Sequence, residues 1–246
     1  MERAATGVPG FDKLVSGGLP SGKSVLLTGS SGTGKTTFAM QFLAHGAEKG
    51  EPGVYLTLEQ KPEDIRETMA QYGIDVKKLE NEGKLAIIDA SLARLGKESS
   101  EKFRLSSTGF DVGPLMAYIK EVAQKVRAKR VVIDSLPSLD IVLKGDEKED
   151  KEDKVRDAVR EMIFGLQEIG LTSVLITEVT ADSKNYSPHG VEEFVVDGVV
   201  VLDLNTLGTE ASRTLLIRKM RFTQHSEAIN TISFIRGKGI VVESGS

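Results

Sequence analysis

The stretch that decides the fold reads GSSGTGKT and occupies residues 29–36. It fits the pattern G-x-x-x-x-G-K-[ST] over its full length. A short apolar run at residues 25–28 precedes it, and residues 35–46 follow with apolar positions at helical spacing. Because this places the pattern between a strand and a helix, we predict a loop whose backbone N–H groups surround the phosphates of a nucleotide.

Each position in this loop has a predicted role. Side chains at Gly32 or Gly34 would obstruct the wrap around the phosphates, and the helix N-terminus adds partial positive charge. Lys35 is expected to be catalytic as well as nucleotide-binding, because it would bridge the β- and γ-phosphates. The Thr36 hydroxyl is expected to bind Mg²⁺. The predicted nucleotide-binding residues of the loop are Ser31, Gly32, Thr33, Gly34, Lys35, Thr36 and Thr37.

A second anchor for the metal comes from the strand RVVID at residues 130–134. A P-loop site requires a carboxylate that holds the Mg²⁺ shell, and Asp134 ends this apolar strand. Many strands end in Asp, so the assignment depends on the P-loop beside it. Thr36 and Asp134 are therefore the predicted metal residues.

Hydrolysis also needs a group that orients or deprotonates the attacking water. Glu59 follows the predicted strand at residues 53–58, whose carboxyl end should lie on the ligand side of the sheet. One alternative is that Glu59 complements the dipole of the helix predicted from Pro62. Another is that Glu178, after the strand at residues 173–177, is the base instead.

Strands and helices alternate along most of the chain, which predicts an α/β fold with a mostly parallel central sheet flanked by helices. After residue 190 the pattern changes to short strands, with a hairpin turn at residues 236–239, and predicts a C-terminal β extension of the same sheet. A mixed-sign charge run at residues 144–154 is interpreted as a solvated loop that leads into a helix. No linker divides residues 1–246, so one domain is expected.

Composition excludes several kinds of protein. The chain has 246 residues, of which 39% are hydrophobic and 28% charged, a balance typical of a globular protein. With 0 Cys and 3 His, disulfide frameworks, thiol catalysis and Cys-ligated metals are excluded. The net charge of −4 requires any nucleic-acid contact to come from a local basic patch. Residues 1–10 lack a basic stretch followed by an apolar one, and nowhere do 18 apolar residues run together. A cytoplasmic protein with no membrane contact is therefore expected.

With these residues in place, the chain resembles the KaiC-like branch of the RecA ATPase superfamily over nearly its whole length. The opening TGVPGFDKL at residues 6–14 and GGLP at residues 17–20 are similar to the start of that family. YLTLEQKP at residues 55–62 resembles its catalytic-glutamate strand, with Gln60 where a second glutamate is usual, and residues 191–197 resemble its G-V-E-E-F-x-x-D segment. The resemblance implies a RecA-like P-loop fold that binds ATP. In the circadian-clock relatives a Ser-Thr pair in one of two tandem domains is autophosphorylated. Glu193 and Phe194 align with that pair here, so autokinase activity is not expected.

The most informative match is KMRFTQH at residues 219–225, which is similar to the family motif K-x-R-G-T-x-H. In hexameric relatives this segment reaches the γ-phosphate on the adjacent subunit. The resemblance therefore implies that Lys219, Arg221 and His225 bind nucleotide in trans, with Arg221 catalytic. The sequence departs from the motif at Phe222, which stands where the family usually has Gly. On pattern alone, the segment would be an exposed strand with Lys219 and Arg221 in solvent.

Three functions remain open at this point. The first is a Mg²⁺-dependent ATPase that forms a homo-oligomeric ring, a hexamer by resemblance, with ATP or ADP between subunits. Hydrolysis would be coupled to a conformational change of the ring. The second is a recombinase-like protein that binds single-stranded DNA through residues 136–154 and the loop that holds Lys184, Tyr186 and His189. The third is a nucleotide-gated scaffold with little turnover, which Gln60 favours. The sequence does not identify a protein partner.

Overall fold

The computed structural model describes residues 1–93, 97–105, 112–141, 148–180, 185–188, 190, 192–207 and 210–243. The strands are β1 (Arg3–Ala4), β2 (Leu19–Pro20), β3 (Ser24–Gly29), β4 (Gly53–Thr57), β5 (Leu85–Asp89), β6 (Phe103–Arg104), β7 (Arg130–Asp134), β8 (Thr172–Glu178), β9 (Gly198–Leu207), β10 (Glu210–Met220), β11 (Asn230–Ile235) and β12 (Gly239–Val242). The helices are α1 (Phe11–Leu14), α2 (Lys35–Glu48), α3 (Pro62–Gln71), α4 (Val76–Asn81), α5 (Val112–Val126), α6 (Lys148–Glu168) and α7 (Glu192–Val195), together with a 3₁₀ helix at Leu136–Ile141.

Ten of these strands form one sheet in the order β12-β11-β10-β9-β3-β8-β7-β4-β5-β6. All neighbours from β9 to β6 are parallel, whereas β10, β11 and β12 are added antiparallel. The parallel strands read as continuous apolar runs because helices cover both faces. The predicted α/β architecture with a C-terminal β extension is confirmed. So is the hairpin turn, which joins β11 to β12.

Each face of the sheet carries its own apolar core. Helix α2 packs on one face through Phe38 and Phe42, where the C-terminal strands contribute Ile240. Helices α5 and α6 cover the other face, with Ile119 and Met162 among the buried residues. Since the central strands are parallel, the carboxyl ends of β3, β4, β7 and β8 share one edge of the sheet, which is where ligands bind in open α/β folds.

Two predicted boundaries are wrong. Apolar residues at helical spacing predict a helix over residues 112–129, but α5 ends at Val126, and Arg127 follows with a left-handed φ of 54°. Helix α6 begins at Lys148, so residues 148–154 of the charged run are helical and not a loop. Lys and Glu are good helix formers, and a mixed-sign run supports a helix through pairs at i,i+4. Residues 144–147 lie outside the described residues.

Short elements were missed because they are below the length at which periodicity is detectable. The two-stranded sheet of β1 and β2 pairs Ala4 with Leu19, and both residues are buried. Helix α4 begins after Asp75, whose side chain accepts a hydrogen bond from the Lys78 N–H as an N-cap. Within the described parts of the chain, no helix combines the length and apolar content needed to cross a membrane.

The buried Arg130 at the start of β7 joins three parts of the fold, and we predict a large loss of stability when it is removed. The side chain is 2% exposed. Its guanidinium donates to Glu51 and, at 2.7 Å each, to the carbonyls of Ala5 and Phe42. Arg130→Ala leaves both carbonyls without this partner and opens a cavity, so we expect the free energy of unfolding to fall by about 3–5 kcal/mol in denaturant titrations.

A matched control for that measurement is Arg160→Ala on α6. Arg160 is 47% exposed and pairs with Asp157 at 3.1 Å, three residues earlier on the same helix. Exposed pairs contribute about 0–1 kcal/mol, so this variant should stay close to the wild type. Equal losses in the two variants would contradict the role assigned to Arg130.

Candidate nucleotide site

The predicted phosphate loop connects β3 directly to α2, as the pattern requires. Gly29, Gly32 and Gly34 have φ values of 153°, 76° and 108°. A Cβ at Gly34 would lie 2.5 Å from the Phe234 ring, so this position is closed by crowding as well as by its backbone. At Gly32 a Cβ would meet no atom within 4 Å, so the structural requirement for glycine there is the left-handed backbone.

The hydroxyl residues of the loop have different environments. Ser31 is exposed, whereas Thr33 and Thr37 are buried. The Thr33 hydroxyl donates to the Ser30 carbonyl at 2.9 Å and so tightens the turn. Among these three residues, Ser31 therefore presents its side chain to solvent at the loop surface.

Lys35 is held inside the loop. Its ammonium donates to the carbonyls of Gly29 and Ser30 at 2.9 and 2.8 Å and lies 3.1 Å from Glu178 Oε1. The side chain is 6% exposed, whereas that of Glu178 is 47% exposed. Glu178, the alternative base, is therefore the counter-ion of the P-loop lysine in this structure.

The two predicted metal residues lie together. The Thr36 hydroxyl donates to Asp134 Oδ2 at 2.9 Å, which leaves the lone pairs of the hydroxyl oxygen free for a cation. An alcohol and a carboxylate oxygen are ligands that Mg²⁺ accepts, and Mg²⁺ commonly takes only one or two protein groups beside water and phosphate. The donor set therefore fits Mg²⁺. Among the described residues, no cluster of three or more His, Cys, Asp or Glu forms an alternative metal site.

Tyr55 was not identified from the sequence as part of this site. Its hydroxyl on β4 also donates to Asp134 Oδ2. Burial raises the pKa of Asp134, an effect opposed by the hydrogen bonds from Tyr55 and Thr36. Burial, reinforced by the nearby Asp134 charge, raises the pKa of Tyr55 well above its usual value, so the phenol remains a donor. The available signal was a tyrosine within an otherwise apolar strand.

Glu59 lies after the carboxyl end of β4, close to Asp134, one of the predicted metal residues. The hydroxyls of Ser135 and Ser138 both donate to its Oε1 at 2.6 Å. Helix α3 has Glu63 and Asp64 in its first turn, so its dipole is complemented without a contribution from Glu59. Both serines are buried and hold the carboxylate in one orientation. The position of Ser135 next to Asp134 was visible in the sequence, but its contact with Glu59 was not.

The three residues predicted to act in trans lie at the other end of the sheet. Met220 pairs with Gly198, which pairs with Val25, whereas the P-loop starts four residues further along β3, at Gly29. At ~3.3 Å per residue, this separation is about 13 Å along the strand direction. Lys219, Arg221 and His225 are therefore remote from the P-loop of their own chain.

Contacts within the chain hold two of these side chains. The Lys219 ammonium donates to the carbonyls of Glu193 and Val196 at 3.0 and 2.7 Å, and burial lowers the pKa of Lys219. Arg221 is 48% exposed and lies 3.8 Å from Asp197. Arg221 is thus the cation with more freedom to meet an external phosphate.

A β-bulge determines where these side chains point. The pairing of β10 with β9 shifts between Ile217 and Lys219, which leaves Arg218 as the extra residue. Ile217 and Met220 both enter the core, three residues apart, and Lys219 turns toward α7. An exposed strand with both Lys219 and Arg221 in solvent is therefore wrong for Lys219, which is partly buried, whereas Arg221 is exposed.

Arg213 and Phe234 lie beside the P-loop of the same chain and were not predicted from the sequence. The Arg213 guanidinium donates to the Gly32 carbonyl at 3.1 Å and stacks over the Phe234 ring at 5.0 Å. Phe234 in turn closes the space behind Gly34. These residues come from β10 and β11, far from the P-loop in sequence, and no local pattern identifies them.

The structure describes only part of the loops that were predicted to contact DNA. Lys184 and His189 lie outside the described residues, as do residues 142–147 of the other loop. Tyr186 is described, and the Arg218 guanidinium lies 5.7 Å from its ring centre. Contact of single-stranded DNA with these loops therefore stays a prediction.

A mostly parallel sheet with a P-loop between β3 and α2, and with acidic residues at the carboxyl ends of β4 and β7, defines a RecA-type nucleotide-binding fold. A family model described as "ATPase: KaiC" matches residues 4–246. The chain belongs to the KaiC family of ATPases, which confirms the resemblance seen in the sequence.

Individual relatives agree with this assignment. A UPF0273 protein of Pyrococcus furiosus is 36% identical over 242 residues, which covers 98% of this chain and 94% of that protein. The circadian clock oscillator protein KaiC of Synechococcus elongatus is 41% identical over 221 residues, but the match spans 40% of that longer protein. The crystal structure of a KaiC-like protein from Pyrococcus horikoshii superposes with a TM-score of 0.83 at 42% identity and covers 98% of this chain and 99% of that one.

Proposed function

We propose that this RecA-like ATPase hydrolyses ATP with Mg²⁺ at a site that a second copy of the chain completes, within a closed ring that is a hexamer. Residues 1–246 then act as one ATPase domain. The observation that carries the proposal is the separation of the two halves of the site. Glu59 and the Mg²⁺ residues adjoin the P-loop, whereas Arg221 lies at the opposite edge of the sheet, about 13 Å or more away.

The charges at the two edges favour a contact between the P-loop edge of one copy and the opposite edge of the next copy. The P-loop edge carries Glu59, Asp134 and the partly exposed Glu178. The opposite edge carries Arg218 and Arg221, which are exposed. Contacts between different patches of identical subunits generate rings when the rotation closes. Each interface would then bring the acidic residues of one P-loop site and the arginines of its neighbour to the same nucleotide.

Within this site each residue has a task in phosphoryl transfer to water. The backbone amides of the P-loop and Lys35 hold the phosphates, and Thr36 and Asp134 would hold Mg²⁺. When bound, the metal would neutralise charge on the phosphate oxygens. Glu59 Oε1 is bonded to two serines, so Oε2 is the oxygen positioned to accept a proton from the attacking water. Arg221 of the neighbouring copy would stabilise the charge that develops on the γ-phosphate.

The proposal is tested by phosphate release and by mass in solution. With Mg²⁺ and ATP, the wild type should release phosphate, whereas Lys35→Ala should release almost none because the phosphates lose their bridging cation. Light scattering after size exclusion should find a closed oligomer in the presence of ATP and Mg²⁺. Chelation of Mg²⁺ should abolish turnover. A monomer that still hydrolyses ATP would contradict the shared site.

A nucleotide-gated scaffold is the alternative outcome of the same measurements. Gln60 stands where the family usually has a second glutamate, and its backbone N–H donates to the Thr57 hydroxyl at 3.2 Å. Tight ATP binding and ring formation without measurable phosphate release would select the scaffold over the enzyme.

A further inference from the structure

The loop between β10 and β11, residues 221–229, carries Arg221 and His225 and is fastened to the N-terminal segment of the same chain. The Arg3 guanidinium donates to the Phe222 carbonyl at 2.9 Å and to the Thr223 hydroxyl. We propose that Arg3 is a positioning residue, which holds the 221–229 loop in the orientation that presents Arg221 to the nucleotide of the neighbouring subunit. This inference rests on the proposed function.

Arg3 is held in place by the pairing of β1 with β2. Arg3 lies in β1, which pairs with β2 in register Arg3 with Pro20, and the adjacent Ala4 is buried. The Ser21 N–H donates to the Glu2 carbonyl at 3.1 Å, which continues this pairing by one hydrogen bond. A side chain placed on such a support keeps its position better than one on a free terminus.

The turn at Phe222 needs a contact from outside the loop, because its backbone conformation is unfavourable. Phe222 has a left-handed φ of 60°, a conformation that bulky residues seldom adopt. Its side chain is 59% exposed, with the Lys23 ammonium 5.2 Å from the ring centre. Burial of the ring therefore does not stabilise the turn. Arg3 binds the two residues that directly follow Arg221, on the carbonyl and the hydroxyl, and so secures the turn itself.

Two other contacts with the N-terminal segment hold the loop further along, so Arg3 makes the contact from this segment that lies nearest to Arg221. The Arg221 N–H itself donates to the Asp197 carbonyl at 2.8 Å, which fixes the end of β10 but not the turn that follows. The Ser16 hydroxyl donates to the Gln224 carbonyl at 2.8 Å, and the Ser226 N–H donates to the Leu14 carbonyl at 2.9 Å. These bonds keep the loop attached when Arg3 is removed. The expected defect of an Arg3 variant is therefore a misplaced Arg221 and not an unfolded loop.

The test is the steady-state kinetics of Arg3→Ala in the full chain with ATP and Mg²⁺. Because the P-loop lies at the other end of the sheet, the KM for ATP should change by less than about twofold, whereas kcat should fall by about 10- to 100-fold. Arg3→Lys keeps a cation that can reach one of the two oxygens, so it should restore part of kcat. The exposed neighbour Glu2 provides the control, and Glu2→Ala should match the wild type.

Mixed rings separate positioning in trans from a general structural role. Lys35→Ala subunits have a defective P-loop but an intact 221–229 loop. Mixed in equal amounts with Arg3→Ala subunits, they should restore about a quarter of the wild-type rate, the share of interfaces that combine both intact halves. A structural defect in the Arg3→Ala subunit's own P-loop would not be rescued in this way.

The outcomes distinguish this inference from the proposed function. If Arg221→Ala lowers kcat in the same assay and Arg3→Ala does not, the positioning role is wrong and the shared site stands. If neither variant affects turnover, the shared site itself is wrong. An Arg3→Ala defect without rescue in mixed rings would also overturn the positioning role.

Discussion

Arg221→Ala is expected to lower kcat by about 10³- to 10⁵-fold, the range found when an arginine that stabilises phosphoryl-transfer charge is removed. ATP binding should persist, because the P-loop, Lys35 and the Mg²⁺ residues are at the opposite edge of the sheet. Arg221 is 48% exposed, so its removal should have little effect on folding. Phosphate release and nucleotide binding, measured on the same preparation, check both parts of this prediction.

The conservative variant and mixed rings sharpen the result for Arg221. Arg221→Lys keeps a positive charge but loses the planar fork that can bind two oxygens, so it should recover only part of the rate. Subunits with Arg221→Ala, mixed with Lys35→Ala subunits, should regain activity because the two defects lie in different halves of the shared site. Two inactive variants that remain inactive when mixed would show that both residues serve a site within one chain.

Glu59→Gln should lower kcat by about 10²- to 10⁴-fold, because the amide cannot accept the proton of the attacking water. The substitution keeps the size of the side chain, and its amide oxygen can still accept hydrogen bonds from Ser135 and Ser138. ATP affinity should therefore remain near that of the wild type. Single-turnover phosphate release, in which binding and chemistry are separated, is the measurement that checks this.

Glu178→Gln is the matched control, since Glu178 is the rival base at the same edge of the sheet. Its carboxylate pairs with Lys35 at 3.1 Å, so its loss should change nucleotide affinity more than the chemical step. A larger fall in kcat for Glu178→Gln than for Glu59→Gln would reverse the assignment of the base.

Those parts of the site that depend on local sequence could be predicted. The P-loop is a continuous segment whose glycines, lysine and threonine act through neighbouring backbone, so its eight residues identify it without knowledge of the rest. Asp134 and Glu59 were predicted because each follows an apolar strand, and parallel strands bring their carboxyl ends to one edge. Residues 219–225 were identified only through resemblance to a family.

Contacts between distant segments could not be predicted in the same way. Tyr55 reaches Asp134 across neighbouring strands, and Ser138 reaches Glu59 from the 3₁₀ helix. Arg3 and Phe222 are 219 residues apart in sequence. One sequence carries no periodic signal for such pairs, because periodicity reports only which face of an element is buried.

The amino-acid sequence by itself determined the class of fold, the phosphate loop and the carboxylates beside it, since these follow from short-range backbone preferences and apolar patterning. Only the tertiary structure decided that β10 takes a bulge at Arg218, and that the Lys219 and Arg221 end of this strand lies at the sheet edge away from the P-loop. The physical reason is that strand order and register are set by the packing of the whole core, where Ile217 and Met220 must both be buried, and no local property of residues 219–225 encodes it.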